Sequence, residues 1–163
     1  MKDAHMQDIC IDTQILFAAD NAECCQRDVL LLIEQCGTVA IALEKTIIQE
    51  YSNKMRAERF GQHWLRMMAT TGRTVLRGKT KLPRGILREL LDKIHFDPND
   101  IMFLEVALST DTKVLVAEED DFSVPVRKLM SKKMGLSIRT SPEYSDHISP
   151  NLNPPTVSTD PCK

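Results

Sequence analysis

Acidic side chains mark both ends of the stretch 97–122, DPNDIMFLEVALSTDTKVLVAEEDDF. Asp97 is placed to cap a helix running from Pro98 to about Ser109, with Pro98 at the first helical position and Asp100 in the first turn, where the helix dipole favours an anion. The segment Lys113–Ala117 is apolar and β-branched on both faces, the pattern of a central parallel strand, and it delivers Glu118, Glu119, Asp120 and Asp121 at its carboxyl end. In open α/β sheets that edge is where ligands bind. Near the start of the chain, Ile9–Ile11 reads as a short buried strand ending at Asp12. A carboxylate there is unfavourable unless something positive meets it, although capping the turn from Thr13 onward is an alternative use for Asp12. A further acid comes from a helix expected over about 43–56. Its Glu44 and Glu50 are six positions apart, about 240° around a helix, so both cannot aim at one site, and spacing does not choose between them.

The chemistry such a set could do follows from its charge. Asp12, one of the two helical glutamates, Asp100, Glu119 and Asp121 all stand at strand ends or on helices that a parallel sheet would bring to one edge. Crowded carboxylates raise one another's pKa and oppose folding, so a cluster of this kind holds a divalent cation. Ligands offering only oxygen favour Mg²⁺ or Mn²⁺ over zinc. The reaction suited to two such ions is in-line attack of water on a phosphodiester.

The elements that would position these acids alternate. Strands are expected at 9–11, 38–42 and 113–117, with a last one at 136–140, and helices fall between them. That order implies an α/β fold: a three-layer sandwich with a central parallel sheet of four or five strands and helices on both faces. Asp20, with Glu23 three residues on, has capping-box spacing and reads as the structural start of a helix ending at Gly37. Helices are expected at 57–68, with Trp64 in the core, at 82–95 and at 126–134. The segment 70–83, TTGRTVLRGKTKLP, reads as a Gly- and base-rich connection. With 163 residues the chain has room for one domain with a real core. That domain spans 1–140. The Pro-, Ser- and Asn-rich stretch 141–163 reads as a poorly ordered tail, with Tyr144, Ile148 and Leu152 its sizeable anchors.

Charge is polarised along the chain. Residues 44–93 carry 12 Lys and Arg against 5 Asp and Glu, while the whole molecule has a net charge of −2. A basic middle suits a phosphate backbone, and Arg73, Arg77, Lys79, Lys81, Arg84 and Arg88 are the cations expected near nucleic acid. The 5 cysteines include no C-x-x-C pair and read as reduced thiols, with Cys10 and Cys36 in the core. The 4 histidines are scattered and have no ligand spacing. Neither a G-x-G-x-x-G nor a G-x-x-x-x-G-K-S/T loop occurs. No apolar run reaches a membrane span and MKDAHMQD is not a signal-peptide start, so a cytoplasmic protein is expected.

The stretches ICIDTQILFAAD, IIQEY, NDIMFLEVAL and VLVAEEDDF, taken in that order over roughly residues 8–140, resemble the motifs of the PIN-domain (PilT N-terminal) nucleases. The resemblance implies Asp12, Glu50, Asp100 and Asp121 as metal ligands, with Glu119 assisting, and so favours Glu50 over Glu44. It implies an Mg²⁺- or Mn²⁺-dependent endoribonuclease, either a toxin of a toxin-antitoxin pair or an RNA-processing enzyme. The partners to expect are an RNA substrate, an antitoxin or other protein, and a second copy of the chain in a homodimer, with no membrane. The chain departs from the family's last motif at two positions: Ala117 stands where a Thr or Ser is usual, and Glu119 where the first Asp is usual. Asp121 and Phe122 are kept, and Asp120 is available as a substitute. Those departures support an alternative, a PIN-like module whose site has decayed and which binds RNA or a protein without cleavage.

Overall fold

In the computed structural model, the described residues are 7–20, 24–42, 60–118 and 120–148. The expected acids Glu50 and Glu119, and the competing Glu44, lie outside them. Five strands form one all-parallel sheet: β1 (Gln7–Ile11), β2 (Gly37–Ala42), β3 (Thr74–Arg77), β4 (Val114–Val116) and β5 (Ser137–Arg139), in the order β3-β2-β1-β4-β5. The described helices are α1 (Thr13–Asp20), α2 (Cys24–Cys36), α3 (Phe60–Thr70), α4 (Arg84–Arg88), α5 (Ile101–Ser109), α6 (Val124–Met134) and α7 (Ser141–Ile148). A π-helical turn, Glu89–Ile94, continues α4 and ends at His95, whose φ is 59°. A 3-10 turn, Pro98–Asp100, leads into α5.

Right-handed crossovers put α1, α2 and α3 on one face of the sheet and α4, α5 and α6 on the other. α7 packs back onto α2 and so belongs to the first face. This is the three-layer α/β sandwich expected from the alternation of elements. The strands are buried because both of their faces are apolar: Ile9, Ile11, Val39, Leu115 and Val116 pack with Leu16, Leu30 and Ile33 on one side or with Phe103 and Leu104 on the other. Gly61 of α3 has a packing reason of its own. A Cβ there would stand 2.5 Å from the Leu16 carbonyl oxygen of α1, so only glycine lets the two helices approach.

Three local expectations change. β3 falls inside the stretch expected to be a connection; its four residues, TVLR, pair with β2 from Val39 to Ala42. Asp20 closes α1 rather than capping the next helix, and its Oδ1 accepts from the Gly61 backbone N–H at 2.6 Å. The first eight residues of the expected tail are helical. Ser141 and Tyr144 are buried there, because α7 covers an apolar strip of α2. Residues 149–163 lie outside the described part. Among the described residues no helix is long and apolar enough to cross a membrane.

Candidate functional site

Strand order reverses between β1 and β4, the neighbours whose following connections leave in opposite directions. In a doubly wound sheet the crevice at that reversal, beyond the carboxyl ends of the strands, is the ligand position. Asp12 follows β1 directly and Asp121 follows β4 by five residues. Asp100 arrives from another direction. α5 runs antiparallel to the strands, so its N-terminus returns to the same edge. Asp97 holds that entry by accepting the Asn99 backbone N–H at 2.8 Å, and Pro98 fixes the first turn.

These pieces enclose a cleft of about 390 Å³ lined by Asp12, Thr13, Gln14, Asp97, Asn99, Asp100, Met102 and Asp121. Three of the five expected acids are therefore in one place. Asp12 is 2% exposed. Its Oδ1 accepts from the Thr13 hydroxyl at 3.3 Å, and its Oδ2 is buried with no hydrogen-bond partner. Burial raises its pKa from the ordinary 3.8 to about 7, helped by the charges of Asp100 and Asp121 and opposed by the hydrogen bonds from Thr13. Among the described residues no group of three or more His, Cys, Asp or Glu side chains is arranged to hold a metal ion. The donor types suit a hard cation: carboxylates and amide oxygens with no thiol or imidazole, and one buried carboxylate oxygen without a partner.

The three described acids of the run at 118–121 have different roles. Glu118 turns away from the cleft, where its Oε1 accepts from Gln26 Nε2 at 3.0 Å and from the Ser141 hydroxyl. It ties the end of β4 to α2 and α7. Asp120 is exposed, whereas Asp121 is half-buried in the cleft wall beside the fully buried Phe122. Phe122 packs edge-on against Phe96 at 5.3 Å between ring centroids, which anchors the loop carrying Asp121. Glu105 faces away from the cleft; its Oε1 accepts the Leu82 backbone N–H at 3.2 Å. Asp97 and Asn99, whose types suggest only cap and turn residues, also line the cleft. Their clustering around Asp100 in one polar turn is the sequence signal for them.

The expected nucleic-acid cations are spread out. Arg77 reaches the buried Asp8 at 2.7 Å and Asp111 at 3.0 Å. Asp8 lies four residues before Asp12 on β1, roughly 13 Å of strand away from the cleft. Arg77 thus serves an ion pair at the other edge of the sheet. Arg73 and Lys79 are half-buried, while Lys81, Arg84 and Arg88 are exposed along the approach to and the outer side of α4.

The fold and site together define a doubly wound α/β protein with acids at its switch point. No protein-family model matches the chain, and no curated protein matches it. Among solved structures, it is similar to one described as the crystal structure of VapBC2 from Rickettsia felis bound to a DNA fragment from their promoter. That match has 17% sequence identity and a TM-score of 0.46, and covers 82% of this chain and 98% of the other.

Proposed function

We propose that this chain is a PIN-like endoribonuclease that uses Mg²⁺ or Mn²⁺ to hydrolyse RNA phosphodiesters, with a toxin or RNA-processing role. The observation that carries the reading is Asp12: a nearly fully buried carboxylate with an unpartnered oxygen, facing two further aspartates at the sheet's switch point. Few structural needs explain such an arrangement, because it opposes folding in the absence of a cation. Asp12, Asp100 and Asp121 would hold the ion, joined by Glu50 and Glu119 from outside the described residues. When bound, the ion lowers the pKa of the attacking water and neutralises the charge on the phosphate. The chain's own groups do the rest. Thr13 fixes the Asp12 carboxylate, the amides of Gln14 and Asn99 offer donors to phosphate oxygens at the mouth, and Met102 gives the cleft an apolar side. Lys81, Arg84 and Arg88 hold one flank of the RNA.

The test is cleavage of a labelled single-stranded RNA by the purified chain with and without divalent metal. Metal-dependent cutting that disappears in Asp100→Asn is the expected result. Undiminished cutting by Asp100→Asn would end this reading. The second reading, a cleft that binds RNA or a protein without cleaving, is favoured by Ala117 and Glu119 in the last motif and by the lack of a three-acid metal arrangement among the described residues. It predicts RNA binding with no metal-dependent turnover in any variant.

A further inference from the structure

Glu118 follows the last residues of the β4 segment that the neighbouring strands hold. The Val116 carbonyl accepts the Asp12 backbone N–H at 2.9 Å, and the Ala117 N–H donates to the Arg139 carbonyl at 2.9 Å. Four residues beyond Glu118, the Phe122 N–H donates to the Glu118 carbonyl at 3.2 Å, closing a turn that has Asp121 inside it. The Glu118 side chain turns away from the cleft, and a single oxygen, Oε1, accepts from Gln26 Nε2 at 3.0 Å and from the Ser141 hydroxyl. Both donors are fixed by burial: Ser141 is fully buried and Gln26 nine-tenths buried. Gln26 Oε1 has no partner, so this amide gives up an acceptor to aim its NH2 at the carboxylate. Anchoring α7 does not require that arrangement. α7 already covers α2 with the buried Tyr144 beneath it, and its Glu143 pairs with Arg127. A neutral side chain would serve packing better, since Asp12 and Asp121 share this edge of the sheet and like charges oppose one another. Two hydrogen bonds converging on one carboxylate oxygen supply something else: a fixed rotamer, and through it a fixed direction for the backbone where the turn begins.

We infer that Gln26 and Ser141 are positioning residues for the acid cleft: by clamping Glu118 they set the turn that presents Asp121 to the ion. The clamp holds the near end of that turn, and Phe122 against Phe96 holds the far end. α7 thereby belongs to the frame of the site, although none of its residues lines the cleft. The consequence for metal rests on the proposed nuclease reading, whereas the consequence for the turn does not.

Two measurements on the full chain test this. Hydrogen exchange of the Phe122 backbone amide, followed by NMR in chelator, reports the turn without metal, and calorimetric titration of Mn²⁺ reports the cleft. Glu118→Ala removes the acceptor and should speed Phe122 exchange roughly tenfold, the effect of about one hydrogen bond lost from the closed turn. It should raise the Mn²⁺ Kd about tenfold or more, as loss of a partner that orients a ligand does. Glu118→Gln keeps an oxygen for both donors and should bring both readings back to within about threefold of the parent. Glu143→Gln weakens the tie of α7 to Arg127 and leaves the clamp intact, so it should lower Tm while both readings stay within about twofold of the parent. Ser141→Ala withdraws one donor and is used with the same expected directions if circular dichroism shows Glu118→Ala unfolded. Parent-like Phe122 exchange in Glu118→Ala and Ser141→Ala would overturn the inference, as would equal changes in Glu118→Gln and Glu118→Ala, or in Glu143→Gln and Ser141→Ala. Faster exchange with an unchanged Mn²⁺ Kd would overturn the clamp's role in the cleft. No Mn²⁺ binding by the parent, with exchange still following the clamp, would sink the nuclease reading and leave the positioning of Asp121 standing.

Discussion

Replacing Asp12 by Asn should stabilise the protein at pH 8 and not at pH 4. With its folded pKa near 7 and an unfolded value of 3.8, Asp12 holds a proton in the folded state over a window where the unfolded chain has released it. Folding then binds protons, so stability falls as pH rises from about 4 and levels off above about 7. The full penalty at pH 8 is about 4 kcal/mol, at about 1.36 kcal/mol for each pH unit separating the folded and unfolded values. Burial of the side chain leaves little solvent to screen it. Asn removes that penalty but places an amide where Oδ2 has no partner, which costs about 1–3 kcal/mol. The net expectation is a gain of roughly 1–3 kcal/mol at pH 8, or about 2–12 °C in Tm for a chain of this size. At pH 4 the variant should equal or fall below the parent. Urea unfolding followed by circular dichroism at pH 4, 6 and 8 measures this. A variant less stable than the parent at pH 8, or a difference that does not change with pH, would refute the reasoning.

Two further predictions concern the frame that holds the cleft. Arg77→Ala leaves Asp8 buried without its cation and should destabilise the fold by about 2–3 kcal/mol, below the full value for a broken buried pair because Arg77 is partly exposed. The loss should appear in urea unfolding. Gly61→Ala places a Cβ against the Leu16 carbonyl and should lower stability by about 1–3 kcal/mol as α1 and α3 separate, read as a drop in Tm.

Where local pattern and tertiary structure agree, the sequence is readable. The apolar runs around Ile9, Val39 and Leu115 form central strands because burial on both faces demands such runs, and Asp97 and Pro98 start α5 as their chemistry requires. Those elements alone assign Asp12, Asp100 and Asp121 to one edge. β3 escapes a local reading because TVLR sits between Gly72 and Gly78 among cations, and an edge strand needs only its pairing with β2 to persist. Arg77 cannot be separated from its basic neighbours by pattern, since Asp8 lies 69 positions away in the chain and reaches it only through the fold. Glu118 looks equivalent to Asp121 in a run of four acids; the backbone after β4 sends one toward Gln26 and the other into the cleft.

Calorimetric titration of Mn²⁺ into the full chain at pH 8, with Asp12→Asn alongside, tests most directly whether the switch-point acids exist to hold a hard cation. The account predicts saturable binding by the parent at millimolar metal or below, accompanied by an increase in its unfolding free energy of about 1.4 kcal/mol when metal is tenfold above Kd. It predicts that Asp12→Asn loses both. No binding by the parent, or the same binding by the two proteins, would contradict it.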